Sequence, residues 1–482
     1  MPGSRESGRW WWRVGLVIAV GLGVFPAGIG QVRAQDPARK SELPEGESAS
    51  SSRPESAGPI ELPVDPVLWP EPRRAELLRN EYPEISGPIM SVRDRDTLAA
   101  RIAEMAQGRG LDRAEVKRHV DHNVSELTRR ANIAAMLGSE GAGRNPRALD
   151  EAANRLLAPL LEPSTPANQS FRREYVARLL DHQQQILRGH LLSRAFYMVV
   201  LSRAGIPEVV PLMIELIRDP EQPYTVKLLA AVGLTTASDQ GRRPLDANTQ
   251  AVPAARALAQ FLRSVPDAPW PVQIRCLEAL GSLRVATENP LSGGAEIAGV
   301  AFEILANPAY EPLVRAWAGR ALSRLVYPTQ VRGLNLDLVA YELGWVAVAA
   351  GEKIVSLPIP ESAPTKNLLL VSRWVEPLLR ALEAFVGDEQ IRGSGLNALT
   401  GGSALTRGVE QRIRALASAA IRYSQSAGAQ VRLARVDVEA ALEELRTYLT
   451  NNRPENAEFY AGGPVAELPA AGSSAAGASR GR

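Results

Sequence analysis

The sequence is poor in the residue types on which several fold classes depend. One cysteine, Cys276, occurs in 482 residues, and aromatic residues make up 5% of the chain. A single cysteine cannot form a disulfide within the chain, so a disulfide-stabilised fold is excluded and packing alone must hold the protein together. Few aromatic residues beside much alanine and leucine favour packed helices over a β-sandwich.

Net charge is also small. The formal charge is +2 for the whole chain, and its first 34 residues hold four arginines against one glutamate, so the remainder carries about −1. A chain of this kind has no basic surface that could hold a polyphosphate. We therefore expect no nucleic-acid partner.

Motifs of catalysis are missing as well. The sequence has no nucleophile elbow G-x-S-x-G, no phosphate-binding G-x-x-x-x-G-K loop and no C-x-x-C pair. His119 and His122 are three residues apart on a predicted helix and could begin a metal site, but zinc needs a third protein ligand, and Lys117 and Arg118 add unfavourable charge. We interpret the two histidines as solvated surface residues and expect no catalytic residue, no cofactor and no metal.

The N-terminus has the features of a signal peptide. A positively charged start precedes an apolar run from Val14, and Val32 and Ala34 occupy the small-residue positions that signal peptidase needs before Gln35. This pattern predicts cleavage after Ala34 and export to the periplasm or out of the cell. The alternative is an uncleaved membrane anchor, but Pro26 makes the apolar run a poor spanning helix. We expect no stable membrane insertion after cleavage.

Three segments in the middle of the chain repeat one another. VKLLAAVGL from Val226, VQIRCLEAL from Val272 and VRAWAGRAL from Val314 share one pattern of valine, small and leucine positions. Each follows an apolar helix pattern that a proline ends. Those prolines are Pro220, Pro266 and Pro308, and their spacings of 46 and 42 residues equal those of the valines. A period of about 40–47 residues is typical of solenoids built from helix pairs.

These units resemble HEAT repeats, whose second helix carries the pattern V-R-x-x-A-x-x-A-L. IRALASAAI from Ile413 and, more weakly, LLSRAFYMV from Leu191 extend the match. The resemblance is to the HEAT-repeat (armadillo-like) family of an exported bacterial type, and it implies an all-α fold, an α-solenoid of HEAT-like helix pairs. In HEAT proteins the polar residues after the valines form a ladder between repeats, and the resemblance implies that role for Lys227, Gln273 and Arg315.

Small residues recur inside the second helices. Ala230, Cys276 and Ala318 occupy equivalent positions and should let neighbouring helices approach closely, which makes Cys276 a buried, inert thiol.

Composition and periodicity divide the chain into seven parts. They are a signal peptide at 1–34, a disordered linker at 35–72, an N-terminal helical region at 73–167, HEAT-like repeats at 168–330, a helix plus an extended insertion at 331–366, C-terminal HEAT-like helices at 367–455 with a Gly/Ser-rich loop at 387–408, and a disordered tail at 456–482.

The turn inside each repeat carries an aromatic residue next to proline. Tyr224, Trp270 and Tyr310 occupy these turns, and stacking would align them along one edge as anchors for a peptide or a sugar ring. The alternative is that each ring covers the end of its own core. Trp317 and two further tryptophans lie within helical patterns and are predicted core residues.

The function favoured by this sequence is a non-catalytic exported HEAT-repeat scaffold. Its expected partner is a protein or peptide, or a glycan, in the cell envelope. The alternative is an α/α-helical carbohydrate-active or lyase-like enzyme, which would need two carboxylates facing each other across a cavity.

Overall fold

The computed structural model describes residues 82–468, except 138–144, 163–164, 240–244, 290, 358–363, 390, 392, 427 and 429. Within these residues the chain forms eighteen α-helices and no β-strand, so the fold is all-α as predicted. The helices are α1 (Val92–Ala106), α2 (Arg113–Thr128), α3 (Arg130–Met136), α4 (Ala148–Leu161), α5 (Gln169–Leu180), α6 (Gln183–Leu187), α7 (Leu191–Ser202), α8 (Val210–Arg218), α9 (Tyr224–Asp239), α10 (Val252–Ser264), α11 (Trp270–Leu283), α12 (Glu296–Ala306), α13 (Pro312–Arg324), α14 (Leu336–Ser356), α15 (Pro364–Val386), α16 (Leu396–Leu399), α17 (Ala404–Gln425) and α18 (Gln430–Asn451).

From α7 onward the helices stack in two layers. The first layer contains α8, α10, α12 and α14, each packed on the next, and the second contains α7, α9, α11, α13, α15 and α17 in the same order. Each first-layer helix also packs on the second-layer helix that follows it, and α18 packs on both α17 and α14. One continuous core of buried side chains runs between the layers. This is the stacking of helix pairs expected of an α-solenoid.

The boundaries of the three repeats follow the predicted pattern. The first helices α8, α10 and α12 each end two residues before the proline that was expected to stop them. The second helices begin at Tyr224, Trp270 and Pro312, and the valine of each motif is buried against the core. Because proline has no backbone N–H, its presence at these points prevents the first helix from continuing.

The polar residues after the valines stabilise the ends of the first helices. Lys227 Nζ donates to the backbone oxygens of Leu216, Ile217 and Asp219 at the end of α8, Gln273 Nε2 donates to Pro266 O at 2.8 Å, and Arg315 Nε donates to Leu305 O at 2.7 Å. Lys227 and Arg315 also reach the next helix pair: Lys227 Nζ lies 5.5 Å from the Phe261 ring centroid in α10, and Arg315 pairs with Glu342 in α14, so the expected contact between repeats exists at these two positions. The hydrogen bonds themselves lie within one helix pair. The physical reason is that the last carbonyls of a buried helix lack intrahelical donors.

Small residues allow close helix contacts, as predicted. Ala230, Cys276 and Ala318 are fully excluded from solvent. At Gly319, beside Ala318, an added Cβ would lie 2.5 Å from Leu343 Cδ2 of α14, a distance that real side chains do not reach. The contact between α13 and α14 therefore depends on a residue without a side chain.

Two expectations for the C-terminal half are wrong. The extended insertion predicted within 331–366 is shorter than expected, because α14 continues to Ser356. The Gly/Ser-rich loop is shorter than 387–408, because α16 forms inside it and α17 begins at Ala404. The loop also packs tightly: an added Cβ at Gly387 would lie 2.4 Å from Ser394 O, and the amide of Gly395 donates to Ser323 O at 2.9 Å. Backbone contacts this close need glycine.

The predicted tail begins too early, because residues 456–468 form a segment that packs on the array, here called the strap. Phe459 is fully buried and stacks on Phe302 of α12, with ring centroids 4.6 Å apart and planes 7° apart. The amide of Asn335 donates to Phe459 O at 2.8 Å, and the amide of Ala461 donates to Arg332 O at 3.0 Å. An aromatic anchor and paired backbone groups thus hold this segment, which composition alone marked as tail.

Three predicted parts lie outside the described residues. They are the signal peptide at 1–34, the linker at 35–72 and the tail beyond residue 468. None of the described helices combines the length and the apolar character needed to cross a membrane.

Candidate functional site

The three turn aromatics differ in exposure. Trp270 is 42% exposed at the start of α11, whereas Tyr224 and Tyr310 are half-buried and pack against the core. Burial, and then the charge of Glu303, raise the pKa of the Tyr310 hydroxyl. Trp270 is therefore the ring of this set most able to meet a partner, and the shared binding edge stays a prediction.

A second group of side chains forms a more ordered surface on the second layer. We call it the second-layer strip and define it as Trp317, Arg320, Glu376, Leu379, Arg380, Glu383 and Val386. The ring of Trp317 contacts two guanidinium groups, with Arg320 Cζ 4.6 Å and Arg380 Cζ 5.0 Å from the ring centroid. The tryptophan is itself buried, as predicted. Cation–π contacts on a partly desolvated ring fix both arginines at the junction of α13 and α15.

Carboxylates complete the strip. Glu383 Oε2 lies 2.9 Å from Arg320 Nε, Glu383 Oε1 lies 2.7 Å from Arg380 Nη1, and Glu376 lies 3.6 Å from Arg380 on the preceding turn. Burial lowers the pKa of Arg320, and the charge of Glu383 opposes that shift. A network of this kind holds its side chains in one arrangement better than an isolated surface pair does.

Two exposed apolar residues flank these charges. Leu379 is 41% exposed and Val386 is 59% exposed, and they are seven residues apart on α15, so they share a helix face with Glu383. The strip therefore combines a fixed aromatic and arginine centre with open apolar surface. Interfaces between proteins are enriched in these residue types.

Comparisons with known proteins give no relative. The chain matches no family model, no curated protein and no solved structure. What the surface can bind therefore has to follow from its own residues, their exposure and their contacts.

The histidine pair is not a surface feature. His119 and His122 are both buried, which corrects the interpretation as solvated residues. His119 Nε2 lies 3.3 Å from Arg155 O and His122 Nδ1 lies 2.9 Å from Pro88 O, so helix α2 is covered on both sides. Burial lowers the pKa of His119 to about 4. Within residues 82–468, gaps aside, no group of three potential ligands is arranged to hold a metal ion.

The single cysteine is a core residue, as predicted. Cys276 is fully buried, and burial raises the pKa of its thiol to about 12. A thiol of this kind is protonated and shielded at neutral pH, so it is a poor nucleophile.

Sequence reasoning missed the strip as a site. Trp317 and Arg380 are 63 residues apart, and the whole of α14 lies between them. One signal was present: Glu376, Arg380 and Glu383 follow a helical spacing of four and three residues that places them on one face. Only the packing of α13 on α15 brings that face to Trp317.

Proposed function

We propose that the protein is a non-catalytic scaffold of the HEAT-repeat type that holds a protein or peptide partner. The observation that carries this proposal is the second-layer strip, where an ordered Arg–Trp–Arg centre adjoins two exposed apolar side chains. Hot spots of protein interfaces are enriched in tryptophan and arginine surrounded by residues that exclude water. The strip offers both of these features on packed helices rather than on loops.

Preorganisation supports the same function. The guanidinium groups of Arg320 and Arg380 are already held by Trp317 and Glu383, so little side-chain entropy remains to be lost when a partner binds. Because both signs of charge are present, a partner with complementary charges of both signs fits better than a polyanion.

The site of action in this proposal is the cell envelope or the outside of the cell. The support is the N-terminal sequence, whose charged start, apolar run and small residues before Gln35 match a signal peptide. N-terminal sequencing of the protein recovered outside the cytoplasm should give Gln35. Recovery of Met1 in the membrane fraction would contradict cleavage.

The partner can be identified by photo-crosslinking from Leu379 in the living source and then titrated with purified variants. Leu379→Glu should weaken binding about tenfold or more, because it places a charge in the apolar contact. The matched control is Leu433→Glu on the last helix, where leucine is 71% exposed, and it should bind as the wild type does. Trp270→Ala reports separately on the turn aromatics. Equal binding by Leu379→Glu, Arg380→Ala and the wild type would refute the strip as the contact surface.

A further inference from the structure

A cavity of about 330 Å³ lies beside the Gly/Ser-rich loop, outside the strip. Its lining comes from three parts of the chain: the end of α11, the segment from Arg324 to Leu336, and the loop itself. The apolar lining residues are Leu325, Val326, Tyr327, Leu334, Leu336 and Leu399. Val326 is 53% exposed, so apolar surface remains open at this cavity. The volume is in the range of sites that bind small molecules.

Arginine occupies an unusual backbone position at the edge of this cavity. Arg284 ends α11 with φ 61° and ψ 24°, and it is the one described residue other than glycine with positive φ. The conformation directs the chain into the bridge between Val285 and Val326, where the amide of Val326 donates to Arg284 O at 3.1 Å. Glycine is the residue that normally ends a helix in this way. Because glycine would fit this backbone conformation better, the presence of arginine at position 284 indicates a role for its side chain.

The charges around the cavity leave one cation uncompensated among the described residues. Arg324 lines the cavity and lies 3.3 Å from Asp388 Oδ2. Arg284 also lines it, is exposed, and makes no ion pair with a described residue. One positive charge beside apolar walls suits a monoanion with an apolar body better than a phosphate dianion, and guanidinium pairs with carboxylate through two parallel hydrogen bonds.

The loop wall of the cavity is formed before any ligand arrives. The Ser394 hydroxyl accepts from the amide of Asp388 at 2.8 Å and donates to Asp388 O at 3.1 Å, which closes the loop on itself. The amide of Gly395 donates to Ser323 O on α13, so the loop is also tied to the second layer. Because the loop is already held by its own hydrogen bonds, it loses little conformational entropy when a ligand binds.

We propose that this cavity is a binding site for an apolar carboxylate, with Arg284 as the group that pairs with the carboxylate. The same chemistry is found in a free organic acid and in the α-carboxylate of a peptide that ends in an apolar residue. The site is separate from the second-layer strip, and it stands whether or not the strip holds a partner.

Calorimetric titration of the purified chain tests the proposal with three probes. They are hexanoate, the peptide acetyl-Ala-Ala-Leu with a free carboxylate, and the same peptide as its amide. At least one carboxylate probe should bind with a Kd below about 5 mM, and the amide should bind at least about tenfold more weakly than the acid. Binding of hexanoate alone identifies a free acid, and binding of the peptide acid alone identifies a peptide C-terminus.

Arg284→Gly is the decisive variant, because glycine suits the backbone at this position. It should keep or raise the melting temperature and weaken carboxylate binding about tenfold or more. Arg218→Ala, which removes an exposed arginine at the end of α8, is the matched control and should bind as the wild type does. The proposal is overturned if neither carboxylate binds, if the amide binds equally well, or if Arg284→Gly keeps full affinity.

Discussion

Arg315 Nη2 lies 3.7 Å from Glu342 Oε2, and both side chains are almost completely excluded from solvent. The pair joins α13 to α14, and so links one helix pair to the next. Burial raises the pKa of Glu342 to about 7 even though the charge of Arg315 opposes the shift, and burial also lowers the pKa of Arg315. Desolvation therefore outweighs the attraction between the two groups.

Glu342 should make the protein less stable as pH rises toward neutrality. Because the folded pKa is raised above the ordinary 4.5, its contribution to stability is complete below pH 4.5 and is lost as pH rises through about 7. The loss amounts to about 3 kcal/mol at 1.36 kcal/mol per pKa unit. Glu342→Gln is neutral at every pH, so in denaturant titrations its free energy of unfolding relative to the wild type should increase by about 3 kcal/mol from pH 5 to pH 8. The exposed Glu221→Gln should keep a constant difference in stability from the wild type over this pH range. A constant difference for Glu342→Gln as well would contradict the pKa shift.

His119 should act in the opposite direction. Its pKa is lowered by burial to about 4, so its contribution is complete above pH 6.5 and is lost as pH falls through 4, by about 3 kcal/mol. The contributions of His119 and Glu342 therefore nearly cancel between pH 4.5 and pH 6.5. His119→Gln keeps a donor for Arg155 O and removes the titration, so stability should rise as the solution is acidified through this window. Melting curves at pH 4.5 and 6.5 measure it, and an unchanged pH profile would contradict the assignment.

Lys227 should contribute more to stability than its counterpart in the next repeat. Its ammonium group binds three carbonyl oxygens at the end of α8, whereas Gln273 binds one, that of Pro266, two residues beyond the end of α10. Lys227→Met leaves buried carbonyls without this donor, and we expect a loss of about 3 kcal/mol. Gln273→Met should cost about 1 kcal/mol. Chemical denaturation of the two variants compares them directly, and equal losses would show that the number of carbonyl contacts is not what matters.

The strap should stabilise the array through Phe459. Phe459→Ala removes the ring stacked on Phe302 and should lower the free energy of unfolding by about 3 kcal/mol. The amides of Asn335 and Ala461, which bond across this contact, should then lose protection against hydrogen exchange. Val465→Ala, at a position 63% exposed on the same segment, should change stability by about 0.5 kcal/mol or less. Full protection in Phe459→Ala would mean that the backbone bonds hold the strap without the ring.

The repeat boundaries could be predicted because they depend on local chemistry. A proline directly after an apolar helical run, as at Pro220, Pro266 and Pro308, marks the end of that helix, although Pro159 and Pro377 lie inside α4 and α15. A small residue such as Cys276 between two apolar positions marks a close helix contact. The histidines show the limit of such reasoning. His119 and His122 lie next to charged residues in the sequence, yet α1, α4 and α5 all pack on α2 and cover the faces that bear them.

The candidate sites depend on contacts that no local pattern contains. The strip requires α15 to follow α13 in the second layer. The sequence pattern did not predict this adjacency, because the repeat period is broken between the two helices. The cavity requires Arg284 to meet a loop more than 100 residues further along the chain, at Gly393. The buried state of Glu342 likewise depends on how α14 faces α13, which the length and hydropathy of α14 do not determine.

The strap also affects how this chain can change length in evolution or by design. Arrays of repeats commonly gain or lose whole units, because each unit contacts only its neighbours. Here Asn335 Nδ2 donates to Asn456 O at 3.0 Å, across 121 residues, and Phe459 reaches back to α12. An extra helix pair inserted between these points would move the strap off its docking surface. We therefore expect an added helix pair to be tolerated between α8 and α12, where each pair packs on its neighbours, and not after α12.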